Sequence, residues 1–146
     1  MGYRSTVAYT IRFIPESYNK EQSDDDIEKC KQAFYLFLAE AKAKPETEGA
    51  FQDEDLKVDE QEMAMYFFAD DVKWYEGYTD VDCHEALVQL SRDWADDDDG
   101  ENSNPYIGGA FSRIGEQSDD AVEEVWGQGD WDWIRVSREL ICDWLD

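Results

Sequence analysis

Three groups of residues in this chain have types and spacings that could do chemistry. The run Ala95-Asp96-Asp97-Asp98-Asp99-Gly100 has the density of oxygen ligands that a calcium loop uses, with Gly100 at the sharp turn and Asp97 and Asp99 at ligand positions. In that frame the first ligand position is Ala95 and the twelfth is Tyr106, so the first ligand and the bidentate glutamate are both missing, and the run reads as a solvated acidic loop. The lone histidine, His84, follows Cys83. On a helix, neighbours project about 100° apart, which separates the two side chains and favours packing over a shared metal or a nucleophile and base pair. Carboxylates close enough for acid–base catalysis are too numerous for any pair to be singled out.

Gly108-Gly109 and Gly127-Gln128-Gly129 fit neither phosphate-loop spacing, and Glu123, Glu124 and Asp130 would repel a phosphate. The same repulsion excludes direct binding to nucleic acid, whose backbone is negative. No catalytic residue, cofactor site or metal site is therefore expected, and the chain reads as a non-enzyme.

The charge that defeats these chemistries is itself the strongest signal. The 146 residues carry 37 acids and 13 bases, a net charge of −24. Residues 1–44 hold seven of each and balance, whereas residues 45–146 hold six bases and 30 acids. The acids concentrate in Glu46 to Glu62, Asp93 to Glu101 and Glu116 to Asp132, and the last stretch has no base. Like charges at this density weaken the compact state, and solubility alone does not require them. Basic partners are what the electrostatics favour. The candidate partner-binding residues are Asp96, Asp97, Asp98, Asp99 and Glu101 in one run, and Glu116, Asp119, Asp120, Glu123, Glu124, Asp130 and Asp132 in the other.

The elements that must position these acids are legible from periodicity. With 42% hydrophobic and 14% aromatic residues, the chain has ample core material for one folded domain over 1–146. Tyr3 to Ile14 alternates as a strand, with Tyr3, Ser5, Val7, Tyr9, Ile11 and Phe13 on one face, and Pro15 ends it. Asp24-Asp25-Asp26 supplies a negative first turn to a helix whose stripe is Ile27, Cys30, Phe34, Phe37, Leu38 and Ala41. A short strand is expected around Leu56 to Val58 and a buried one over Met63 to Ala69. Thr79 opens a second helix, with Cys83, Leu87, Leu90 and Trp94 as its apolar stripe. Ala110 to Ile114 and Trp133 to Cys142 read as further strands, joined by the acidic segment Glu116 to Asp132. The order β-α-β-β-α-β-β gives an α+β fold, with two helices on a mostly antiparallel sheet.

Trp126-Gly127-Gln128-Gly129-Asp130-Trp131-Asp132-Trp133 fits either a strand with one buried face or aromatic anchors in a charged rim. Cys30, Cys83 and Cys142 form no CxxC pair and read as reduced, buried thiols. No run reaches the roughly 18 apolar residues of a membrane span, and the start lacks the apolar region of a signal peptide, so the expected location is the cytoplasm, away from membranes.

The charge also has a suggestive length scale. Duplex DNA carries one charge per about 1.7 Å, so 24 charges span roughly 41 Å, or about 12 base pairs. Compact-domain scaling gives a diameter of about 38 Å, so charge per unit length is close to that of the duplex.

Tyr3-Arg4-Ser5-Thr6-Val7-Ala8-Tyr9, Phe68-Ala69-Asp70-Asp71-Val72-Lys73-Trp74-Tyr75, Phe111-Ser112-Arg113-Ile114-Gly115-Glu116 and Ile134-Arg135-Val136-Ser137-Arg138 resemble, in order, the blocks of a family of small acidic early proteins of tailed bacteriophages. These blocks are structural and not catalytic, so no site residue is carried over. The chain is similar in size, charge and strand-helix order to a phage inhibitor of bacterial DNA gyrase. The resemblance implies a DNA mimic in the bacterial host cytoplasm that occupies the basic DNA-binding surface of a host protein, with DNA gyrase favoured and a homodimer allowed. The same electrostatics would serve against a restriction enzyme, a CRISPR effector or a nucleoid protein. A cation-binding acidic module and an ordinary halophile protein are the alternatives from other classes.

Overall fold

Strand β1 (Ser5–Phe13) lies at the middle of the sheet, with Val7, Tyr9, Ile11 and Phe13 on one face and Ala8 and Thr10 on the other all buried. In this computed structural model, which describes residues 5–14, 24–72, 74, 79–95, 107–115, 121–127, 134–136, 140–142 and 144, it is the central strand of a five-stranded antiparallel sheet. The other elements follow in chain order: α1 (Asp24–Ala43), the one-turn α2 (Pro45–Glu48), a 3₁₀ turn (Gly49–Gln52), β2 (Leu56–Asp59), β3 (Ala64–Val72) and α3 (Thr79–Ala95). After them come β4 (Ile107–Gly115), β5 (Ala121–Gly127), β6 (Ile134–Val136) and β7 (Leu140–Cys142). The sheet order is β2-β3-β1-β4-β5, and β6 and β7 pair as a separate antiparallel ribbon. The fold is α+β, as the hydrophobic periodicity indicates.

The odd-numbered residues of β1 face the helices. Val7, Tyr9, Ile11 and Phe13 pack there with Phe34 and Phe37 of α1, Leu87 of α3, and Met65 and Phe67 of β3. Phe13 sits 5.6 to 6.3 Å from Phe34, Phe37 and Trp94, mostly edge-on, an arrangement worth about 0.5–1.5 kcal/mol per pair beyond area burial. Trp94 ties the two long helices, since its indole N–H donates to Glu40 Oε2 at 2.7 Å. The second face of β1 is not solvated. Ala8, with Ala110 of β4, packs against Ile134 and Cys142 of the ribbon. Thr10 is fully buried on that face and donates to the Met65 carbonyl at 2.9 Å, while its hydroxyl oxygen accepts from Arg12 Nε at 3.1 Å. Arg12 in turn lies over the Tyr66 and Trp144 rings, 5.2 and 5.8 Å from their centroids.

Two segments differ from the sequence expectation. The acidic connection Glu116 to Asp132 contains strand β5, paired with β4 from Ile114↔Ala121 to Gly108↔Gly127. The stretch Trp133 to Cys142, expected as one strand, holds β6 and β7, which pair back on themselves from Ile134↔Cys142 to Val136↔Leu140. β5 also accounts for the glycine pair. A Cβ on Gly109 would stand 2.4 Å from the Trp126 ring, so the indole lies on bare backbone, and Gly127 adopts a φ of +68° where the strand ends.

Candidate functional site: acidic surface and buried relay

The three acidic runs have different fates. Asp96, Asp97, Asp98, Asp99, Glu101, Glu116, Asp119, Asp120, Asp130 and Asp132 lie outside the described residues, as do Trp131 and Trp133. Glu123 and Glu124 are both exposed on β5, and they do not form one surface. Strand geometry sends neighbours to opposite faces. Glu124 pairs in register with Phe111 and sits on the helix side, where it forms an ion pair with Arg92 of α3. Glu123 pairs with Ser112, on the face of Ala8 and the ribbon. Of the two, Glu123 has no ion pair among the described residues. Replacing Glu123 by Gln should leave the melting temperature unchanged or slightly raised, because like-charge repulsion falls. Glu124→Gln should cost about 0.2–1 kcal/mol, the worth of an exposed pair, and paired thermal melts separate the two.

The acidic ridge that the structure does describe is the first run. Glu46, Glu48, Glu54, Asp55, Glu60 and Glu62 are all exposed on the segment from α2 to the β2–β3 turn, where Lys57 is the one base between residues 45 and 63. This run is visible in the charge count, yet its residues do not belong to the candidate partner-binding set. Local hydrogen bonds hold the backbone that carries it. Asp53 Oδ1 accepts from the Asp55 N–H at 2.9 Å, an Asx turn, and Asp59 Oδ1 accepts from the Glu62 N–H three residues on at 3.0 Å. Thr47, buried, donates to the Ala41 carbonyl and anchors α2 against α1. No carboxylate whose burial is described is buried.

Behind this ridge lies a relay that sequence spacing does not reveal. Asp53, just past the 3₁₀ turn, accepts a hydrogen bond from His84 Nε2 at 2.8 Å. A carboxylate only accepts, so the proton sits on Nε2, and in the neutral ring Nδ1 accepts from the Tyr9 hydroxyl at 2.6 Å. Tyr9 and His84 are 0% and 1% exposed, so no substrate reaches them, and the relay joins the central strand, α3 and the acidic segment. His84 is a packed helix residue, as its sequence context indicates, with a polar partner at each ring nitrogen.

Burial, with smaller contributions from Cys83 and Asp53, pushes the Tyr9 phenol well above its usual value of 10.0, and burial pushes the Cys30 thiol up to about 12. Both groups are held in the protonated, neutral form. The folded state therefore keeps protons that the unfolded chain has released, and stability present below about pH 9 should decline between about pH 9 and 12. Melting temperatures across that range should fall, and Cys30→Ala should give a shallower slope. An identical slope would remove the thiol from the explanation.

A cleft of about 330 Å³ opens between α3, β4 and β5. Trp74, Val88, Phe111 and Val122 form its apolar walls, and Arg92 and Arg113 bring cationic groups, with Glu85, Gln89 and Glu124 completing the lining. Arg92 stacks 4.8 Å above the Trp126 ring.

Cys30, Cys83 and Cys142 are buried and form no disulfide. Among the described residues, no helix is long and apolar enough to cross a membrane. Comparison with known proteins yields no family model, no curated protein and no solved structure that matches this chain.

Proposed function

We propose that this protein is a non-enzymatic DNA mimic that acts in the cytoplasm of a bacterial host and occupies the DNA-binding surface of a host enzyme, DNA gyrase by preference. The observation that carries the reading is a net charge of −24, all of it after residue 44, on a chain in which no carboxylate of described burial is buried. Held on hydrogen-bonded turns and helix ends, such carboxylates approach a basic groove already ordered, so little side-chain and loop entropy is lost on binding. Paired with Lys and Arg, each desolvated contact is worth on the order of 1.5–3 kcal/mol. The balanced residues 1–44 supply β1 and α1, the strand and helix around which the acidic part is arranged.

Blocking DNA loading requires neither a cofactor nor turnover. In a supercoiling assay with gyrase, added protein should stop supercoiling without accumulation of cleaved DNA, and DNA-independent ATP hydrolysis should persist. Trapped cleavage complexes would instead indicate a poison acting after DNA has bound.

A further inference from the structure

We propose that the outer edge of β5 is a docking site for an extended, basic segment of a partner protein, which adds to the sheet as a further strand. The inference does not depend on the acidic surface standing in for DNA. The direction of the backbone groups across the sheet follows from one hydrogen bond. The Phe13 N–H donates to the Met63 carbonyl at 2.9 Å, and bonded and non-bonded pairs alternate along an antiparallel ladder. Phe13, Ile11 and Tyr9 therefore turn their backbone groups toward β3, while Arg12, Thr10 and Ala8 turn theirs toward β4, opposite Gly108, Ala110 and Ser112. Gly109, Phe111 and Arg113 are left to bond with Trp126, Glu124 and Val122. On β5 it is then Ala121, Glu123 and Val125 whose N–H and C=O groups point away from the sheet, and among the described residues no strand pairs with them.

The same three residues carry exposed side chains on the face of the ribbon. The other face of β5 is partly committed, with Val122 and Trp126 half-buried and Glu124 paired to Arg92. Open edges are commonly blunted by Lys, Pro or a bulge, yet β5 runs for seven residues with neither Lys nor Pro and pairs with β4 without a shift of register. Charge selects the occupant. A second copy adding edge to edge sets Glu123 and Glu124 of one chain against those of the other, and like charges opposed on neighbouring strands repel. A strand that alternates basic and aliphatic residues has no such conflict: its bases lie beside Glu123, which has no ion pair among the described residues, and its aliphatic side chains lie beside Val122 and Trp126. Main-chain bonds supply affinity in this mode and alternate side chains supply specificity.

The test is titration of the intact protein at low salt with a blocked peptide that alternates valine and lysine, read by tryptophan fluorescence and by amide hydrogen exchange. Binding should protect the Ala121, Glu123 and Val125 amides. The same peptide N-methylated at every residue keeps its charge but donates no backbone hydrogen bond, and should bind at least about tenfold more weakly. Val125→Pro removes an N–H that β4 does not use, a change that edge strands tolerate, and should weaken the unmethylated peptide by a similar factor. If Val125→Pro does not fold, the N-methylated peptide decides. Equal affinity for the two peptides, no binding of the unmethylated one, or protection that appears away from β5 would overturn the assignment.

Discussion

Affinity for the basic partner should fall by about 10³- to 10⁵-fold between about 50 and 200 mM salt. The physical reason is ion release. A surface that replaces 6 to 10 phosphate contacts of a duplex in a cationic groove displaces the ions held there, and each displacement becomes less favourable as bulk salt rises. The chain has the charge for this, with 30 acids against six bases after residue 44. Most acids whose burial is described are exposed, Glu46, Glu48, Glu54, Asp55, Glu60 and Glu62 among them, so they are hydrated and screened until they dock, which makes the on-rate salt-sensitive as well. The expected slope is that of a short duplex competing for the same groove. An affinity that changes less than about tenfold over that range would mean that apolar contacts, such as those of Trp-bearing segments, dominate, and the mimicry reading would fail.

The second large effect is on stability and belongs to the relay. His84→Leu keeps the volume but leaves the fully buried Tyr9 hydroxyl without its acceptor, at a cost of about 1–3 kcal/mol for the orphaned group. It also severs α3 from Asp53, the residue whose other carboxylate oxygen caps the Asp55 turn at 2.9 Å. A total loss of about 2–4 kcal/mol is expected, or about 4–16 °C in melting temperature for a chain near this size. Tyr9→Phe alone should cost less, about 0.5–1.5 kcal/mol. In Tyr9→Phe/His84→Leu both polar partners are gone together, so the double variant should be more stable than the sum of the two predicts, with a coupling of about 0.5–3 kcal/mol. Strict additivity in thermal or denaturant melts would show that the 2.6 Å contact contributes nothing.

The elements that sequence periodicity identifies are those whose apolar stripe is deep. Phe34, Phe37, Leu38 and Ala41 of α1 and Cys83, Leu87 and Leu90 of α3 are all buried at the spacing that marks one helix face. β1 shows its alternation just as clearly, while the burial of Ala8 and Thr10 on its second face follows from a ribbon made more than 120 residues later, which no local pattern encodes. β5 escaped because it is an edge strand with little buried surface. Val122 and Trp126 are only half-buried, Val125 is 42% exposed, and Glu123-Glu124 interrupts the alternation that a one-sided strand would show.

The acidic segments are legible in the sequence as charge, and their geometry is not. Counting locates the acidic segments, but it cannot tell that Glu124 pairs with Arg92 while Glu123 has no such pair among the described residues, since that distinction arises from which side of the sheet α3 covers. The relay is still further from view. Asp53 and His84 are 31 residues apart and Tyr9 and His84 are 75 apart, and only the sheet and helix packing bring the three side chains together. Arg92 and Arg113 likewise register in the sequence as two isolated bases in an acidic half, and become a pair only when β4 is laid beside α3.

The central claim is that the acidic surface stands where DNA would stand. It is tested most directly by measuring, on purified gyrase, whether duplex DNA and this protein bind at the same time, with labelled DNA at saturation and the protein titrated in at low salt. The account predicts strict exclusion: DNA leaves as the protein binds, the apparent affinity of each falls in proportion to the concentration of the other, and no complex contains both. A ternary complex of gyrase, DNA and this protein, with the affinities of the two independent of one another, would contradict it.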